Sequence, residues 1–109
     1  MSKVQLLGTK IALVGPKYLV NPLSACGIDV AACETEKHGS EILKDLVLRG
    51  EHRIIFIIER LAVELKEEIE AAEKKDINIV LVPDHRGSVG LFREILEGLI
   101  KKATGALKA

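Results

Sequence analysis

The sequence has very few aromatic residues: among its 109 residues are one tyrosine, two phenylalanines and no tryptophan. Proteins that bind single-stranded nucleic acid usually stack the bases on aromatic side chains, and this chain has no set of them for such a platform. An excess of either charge is also missing, because 16 basic residues balance 16 acidic ones. No long-range field therefore attracts nucleic acid or anionic lipid, and we expect no nucleic-acid partner.

Cysteine is scarce as well. Cys26 and Cys33 have neither the spacing of a zinc-binding pair nor that of a redox CxxC motif, so we expect two reduced thiols in or near the core, no metal site and no cofactor. No apolar run approaches the ~18 residues of a membrane span, and the first ten residues, MSKVQLLGTK, do not resemble a signal peptide. These features predict a cytoplasmic protein with no segment inserted in the membrane.

What the sequence does contain is aliphatic side chains, in alternating strand-like and helix-like patterns. We predict a single domain over residues 1–109, with a sheet-and-helix core at about 10–83 and a C-terminal helix at about 88–105. Continuous apolar runs are typical of strands that are buried on both faces of a parallel sheet. The four predicted strands are Ile11–Val14, about Ile28–Cys33, Ile54–Ile58 and Ile77–Val82.

Helical segments are predicted between these strands. Residues 17–25 favour a short, irregular helix because Asn21-Pro22 restricts the backbone. Ser40 is the expected N-cap of the next helix and Gly50 its end, and residues 59–75 are predicted to form one continuous helix. The last helix is predicted from about Val89 to Ala103, with Gly105 as a stop. His38 and His52 lie in polar stretches and are predicted to be surface residues.

Alternation of four strands with helices predicts an α/β fold with right-handed crossovers. The simplest result is a four-stranded parallel sheet of order 2-1-3-4, flanked by helices and followed by an amphipathic C-terminal helix. This arrangement resembles a flavodoxin-like or CheY-like fold that lacks the fifth strand.

Ligands in such folds sit beyond the carboxyl ends of the strands. Gly15-Pro16-Lys17 follows the first strand, but it matches neither a dinucleotide-binding glycine motif nor a P-loop, and it is typical of a strand-ending turn. It also lacks the carboxylates of a phosphoacceptor receiver domain, and Cys26 lies too far along the chain for a cysteine phosphocarrier. We therefore predict no catalytic residues.

The segment after the fourth strand leaves two interpretations open. Asp84, His85 and Arg86 precede Gly87-Ser88, which opens the last helix. Arg86 and the free N–H groups of that helix would suit a phosphate or nucleotide. Alternatively, the segment is a solvated turn in which Ser88 is the N-cap.

The last helix carries a wide apolar stripe. Phe92, Ile95, Leu96 and Leu99 recur at the spacing of a core-facing helix, whereas Leu91 and Ile100 widen the stripe enough to meet a partner helix. The pattern alone does not choose between packing on the sheet and packing on a partner.

Taken together, several stretches resemble the F subunit of the V-type and A-type rotary ATPases. The resemblance runs from about Lys10 to Gly105 and is carried by four stretches: KIALVG at 10–15, CGI at 26–28, IIFIIERLAVEL at 54–65 and IVLVPDHRGSVG at 79–90. The sequence departs from the family in the first loop, where GPKYLVNPLSA replaces a polar, acidic loop.

This resemblance implies a non-catalytic rotor component of the central stalk of an ion-translocating ATPase. Such a component binds the coiled coil of the D subunit within the ring of catalytic A and B subunits, and it couples or regulates ATP turnover and ion transport. Its C-terminal segment extends or retracts. The matching segment here supplies the expected partner-binding residues: Asp84, His85, Arg86, Ser88, Leu91, Phe92, Leu96, Leu99 and Ile100.

Overall fold

In a computed structural model, the chain forms a four-stranded, fully parallel sheet of order β2-β1-β3-β4 between two helical layers. The structure describes residues 10–26, 28–83 and 89–108, and for residues 24–26, 89–92 and 103–108 it describes the backbone alone. The strands are β1 (Lys10–Gly15), β2 (Asp29–Ala32), β3 (His52–Ile58) and β4 (Asn78–Val82). The predicted fold class and strand order are confirmed.

Five α-helices and one 3-10 helix connect and follow the strands in the described part of the chain. They are α1 (Lys17–Val20), the 3-10 helix (Asn21–Cys26), α2 (Glu36–Arg49), α3 (Glu59–Ala62), α4 (Lys66–Lys74) and α5 (Val89–Lys108). The irregular segment predicted after β1 is present as α1 and the 3-10 helix. The two central strands, β1 and β3, are those with the most completely buried apolar runs.

The sheet divides the core into two clusters because successive side chains point to opposite faces. On one face, Leu13 and Phe56 pack with Leu19, Leu23 and Leu96. This face is covered by α1, the 3-10 helix and α5. On the other face, side chains of α2, α3 and α4 cover the sheet, with these buried members: Ala12, Val14, Ile55, Ile57, Leu43, Leu46, Ala62, Leu65 and Ala72.

The predicted start of α2 at Ser40 is wrong. Thr35 is the N-cap, and its Oγ1 accepts a hydrogen bond of 3.1 Å from the backbone N–H of His38. Ser40 therefore lies inside the helix. The predicted end is confirmed: Gly50 adopts a left-handed conformation with φ of 64°, which glycine reaches without steric cost.

The single helix predicted over residues 59–75 is interrupted. The backbone N–H groups of Glu64 and Leu65 donate to Leu61 and Ala62, three residues back, and this tighter turn separates α3 from α4. The apolar side chains on both sides of this break pack into the same cluster. Their spacing is therefore that of one continuous helix, and it does not indicate the break. Gly105, predicted to stop the last helix, instead lies within α5.

Candidate partner-binding surface and the strand ends

The carboxyl ends of β1, β2 and β3 form a cleft of about 400 Å³. Its lining includes three carboxylates, Glu34, Glu36 and Glu64, together with Arg60. It lies where ligands of doubly wound folds bind, so its polar groups decide whether it can serve as a catalytic or anion site.

The turn after β1 has backbone donors that are already engaged. The N–H of Lys17 donates to Glu34 Oε1 at 3.0 Å, and the N–H groups of Leu19 and Val20 both donate to the carbonyl of Pro16 at 3.0 Å. Gly15 is required for packing, since a Cβ at this position would overlap Ile58 Cγ1. These contacts favour the strand-ending turn predicted from the sequence.

Cys33, next to this cleft, is a free and buried thiol. Burial raises its pKa above the ordinary value of 9.0, and the negative charge of Glu34 adds to the increase. A thiol that stays protonated at neutral pH is a poor nucleophile. The predicted reduced core thiol is thus confirmed at Cys33, whereas the side chain of Cys26 lies outside the described residues.

The predicted partner-binding residues fall into two groups. Asp84, His85, Arg86 and Ser88 lie outside the described residues, as do the side chains of Leu91 and Phe92. The structure does place the other three: Leu96 is fully buried on the sheet, and Leu99 and Ile100 are half-buried against the same cluster. In this conformation these three side chains hold α5 to the domain.

The outer face of α5 is polar. Arg93 and Glu97 form an i, i+4 ion pair with Nε and Oε1 3.2 Å apart, and Lys102 is exposed. Such surface pairs add little stability, so the helix is held mainly by its apolar stripe.

The prediction that His52 is a surface residue is wrong. Its side chain is only 4% exposed, and Nε2 lies 2.7 Å from Asp29 Oδ2. A carboxylate only accepts, so Nε2 donates the proton of this bond. The other ring nitrogen, Nδ1, is buried without a partner. His38, by contrast, is exposed as predicted.

A groove beside β4 was not predicted from the sequence. It has a volume of about 590 Å³ and is bordered by α3, α4 and β4. We call it the β4 groove, and it is lined by Glu59, Ala62, Val63, Lys66, Ile69, Glu70, Glu73, Ile79 and Leu81. Val63 and Leu81 are two of the exposed large apolar residues. The available signal was the position of Leu81 in an apolar run on a strand that ends the predicted sheet.

Among the described residues, no group of three or more histidine, cysteine, aspartate and glutamate side chains is placed to hold a metal ion. In the same part of the chain, no helix combines the length and the apolar character needed to cross a bilayer.

Comparison with known proteins gives a consistent result over most of the chain. The sequence pattern of the family described as ATP synthase (F/14-kDa) subunit matches residues 11–97. This match runs from β1 into α5.

Individual relatives agree with the family match. The F subunit of the V-type ATP synthase of Clostridium botulinum, in strains Eklund 17B and Alaska E43, is 26% identical over 97 residues, which cover 88% of this chain and 93% of the relative. The corresponding F subunit of the V-type ATP synthase of Fusobacterium nucleatum subsp. nucleatum is 26% identical over 98 residues, covering 89% of this chain and 92% of the relative.

Proposed function

Because the chain belongs to the ATP synthase (F/14-kDa) subunit family, we propose that it works as the non-catalytic F subunit in the central stalk of a V-type ATP synthase. The observation that carries this proposal is the family match over residues 11–97. The strand ends favour the non-catalytic part of this proposal, because in the described residues Glu34 accepts a hydrogen bond from the Lys17 N–H and Cys33 is a buried thiol with a raised pKa. In this role the protein binds within the stalk and transmits torque, while neighbouring subunits catalyse ATP turnover.

The proposed partner is the coiled coil of the D subunit, within the ring of catalytic A and B subunits on the cytoplasmic side of the membrane. The proposed contact surface is the segment at residues 84–88 together with α5. Arg86 and Leu91 are the most suitable positions for a binding test. A substitution at Leu96 would also disturb the core and so could not isolate an effect on binding. Through this contact the protein couples or regulates ATP turnover and ion transport.

Contact through Leu96, or through the buried parts of Leu99 and Ile100, requires α5 to leave the sheet. Leu96 is 1% exposed, and Leu99 and Ile100 pack beside it. Release would expose these side chains and the sheet surface beneath them, which costs free energy unless the partner covers both. Contact with the D subunit through these residues therefore competes with the packing of α5 on its own domain.

The first test is to mix the chain with its cognate D subunit and measure the mass of the eluting species by size-exclusion chromatography with light scattering. A stable 1:1 complex is expected. Two separate peaks at micromolar concentration would contradict the proposal.

Variants then locate the contact. Arg86→Ala is expected to weaken binding about tenfold, because arginine is common among the residues that dominate interface energies. Arg49→Ala is the matched control, since Arg49 ends α2 on the opposite layer and pairs with Asp45. Equal weakening by both variants would rule out the assigned surface.

Hydrogen exchange distinguishes a docked α5 from a released one. If the D subunit binds by drawing α5 off the sheet, β1 and β3 amides beneath α5 change protection together with α5. If only the start of α5 is contacted, the change is confined to the residues before Leu96.

Calorimetry with inorganic phosphate and with ATP tests the other interpretation of residues 84–88. Binding heat that Arg86→Ala abolishes would favour a phosphate or nucleotide site over the stalk contact. No heat is expected.

A further inference from the structure

The β4 groove is separate from the packing surface of α5. It lies on the sheet face covered by α2, α3 and α4, whereas α5 packs on the opposite face. A ligand in the groove would therefore contact the domain without touching α5 in its docked position.

The floor of the groove is apolar and incompletely covered. Ile69 and Ile79 are half-buried, while Val63 is 61% exposed and Leu81 is 49% exposed. Side chains of β4 on the other face, Val80 and Val82, pack into the core. β4 is thus covered on one face and only partly covered on the other.

The helical layer beside this partly covered face indicates which shape of ligand would fit the groove. In an α/β/α sandwich, helices cover both faces of the sheet and lie about 8–10 Å from one another. α4 ends the helical layer in the described part of the chain, and the groove runs along its flank. An additional helix beside α4 would cover Leu81 and Val63 and extend the layer over β4.

The charge of the rim indicates the chemistry of that helix. Three carboxylates, those of Glu59, Glu70 and Glu73, line the groove against one ammonium group, that of Lys66. Within the described part of the chain, no ion pair engages these three carboxylates. An apolar floor with an acidic rim complements an apolar stripe that is flanked by cations.

We propose that the β4 groove binds an amphipathic α-helix of a partner protein whose apolar stripe is flanked by lysine or arginine side chains. This docking surface is additional to the proposed contact of residues 84–88 and α5 with the D subunit. It stands on the geometry of β4, α3 and α4 alone, so it does not depend on the assignment of that contact.

The test uses the full chain and three designed helical peptides with the same leucine stripe. Their flanking positions carry lysine and arginine, glutamine, or glutamate. The basic peptide is expected to bind about tenfold more tightly than the glutamine peptide, to weaken in high salt, and to exceed the acidic peptide by more. Amide chemical-shift changes should centre on Val63, Ile69, Ile79 and Leu81.

Variants of the protein separate the floor from the rim. Leu81→Asp should abolish binding of the basic peptide, while Leu48→Asp should not, since Leu48 is an equally apolar, 78% exposed residue on α2 outside the groove. Glu70→Lys combined with Glu73→Lys should transfer the preference to the acidic peptide. Thermal unfolding checks that each variant remains folded.

Several outcomes would overturn the proposal. These are absence of binding, equal affinity for all three peptides, or equal weakening by Leu48→Asp and Leu81→Asp. If an extended peptide binds preferentially along the outer edge of β4, the partner adds a strand to the sheet and the proposed helix is wrong. Dimerisation that Leu81→Asp abolishes would replace the helix by a second copy of the chain.

Discussion

β3 and β4 are neighbours with nearly equal apolar character and different surroundings. They pair in register from Ile54 opposite Asn78 to Ile58 opposite Val82. No side chain of Ile54–Ile58 is exposed, whereas Leu81 is half-exposed. β3 has a strand on each side and helices on both faces, so its hydrophobicity is used within the domain. Part of the hydrophobicity of β4 remains available for contact with another molecule.

The largest effect is expected at the centre of the sheet. Phe56→Ala should lower the free energy of unfolding by about 3–5 kcal/mol, because the ring is fully buried and its removal leaves a cavity. Urea denaturation of the variant and the parent chain measures the difference. A loss no larger than that of Leu81→Ser would remove the contrast between β3 and β4.

A smaller loss is expected where β1 ends against β3. Gly15→Ala should destabilise by about 1–3 kcal/mol because the added methyl group overlaps Ile58 Cγ1. Gly98→Ala is the matched control, since its added Cβ has no other group within 4 Å and alanine favours a helix. If both substitutions raise the melting temperature, the close approach of β1 to β3 is not as tight as described.

The contact between the β2 edge and the central strand β3 gives a third comparison. Asp29→Ala should cost about 1 kcal/mol, because it leaves the buried Nε2 of His52 without its acceptor. Asp45→Ala, which removes an exposed pair with Arg49, should change the unfolding free energy by about 0.5 kcal/mol or less. Chemical denaturation at pH 7 measures both changes in the free energy of unfolding. Equal losses would contradict a stabilising hydrogen bond between Asp29 and the buried His52.

The smallest effect on stability is expected at β4. Leu81→Ser should change the free energy of unfolding by about 1 kcal/mol or less, since half of the side chain already contacts water. The same variant should lose binding at the β4 groove. A large loss of stability would mean that Leu81 belongs to the core and would withdraw the contrast with β3.

The sheet was predictable because its signals are local and strong. Runs such as IALV and IIFII are apolar at every position, and only a strand covered on both faces uses such a run fully. The alternation of strands and helices with right-handed crossovers then restricted the strand order. The order 2-1-3-4 needed no knowledge of side-chain contacts.

The predictions from the sequence are wrong where the local structure depends on features that the local apolar pattern does not record. His52 has polar neighbours, which favour exposure, but its partner Asp29 is 23 residues away, and a register shift between β1 and β3 lies next to it. The helix break after Ala62 leaves the apolar spacing intact, so periodicity does not register it. The apolar stripe of α2 begins after Ser40, although Thr35 has already capped the polar first turn.

The candidate site was less predictable than the fold. The stripe on α5 was visible in the sequence, and Leu96, Leu99 and Ile100 do pack on the domain in this conformation. Binding of a partner by the same residues depends on the surface of that partner, and the sequence of this chain carries no information about it. The β4 groove is likewise formed by α3, α4 and β4 together, and no single segment predicts it.

The pairing of β1 with β3 has a consequence for how the chain folds as it is synthesised. β1 leaves the ribosome first, but its central partner begins about forty residues later, with Lys10 opposite His52. Until then the aliphatic run of β1 can pair only with β2 on one side. Long-range parallel pairing is slow because loop closure precedes the gain from contact. Release of β3 from the ribosome is thus the expected moment at which the nascent domain becomes cooperative, and β4 joins an already formed core.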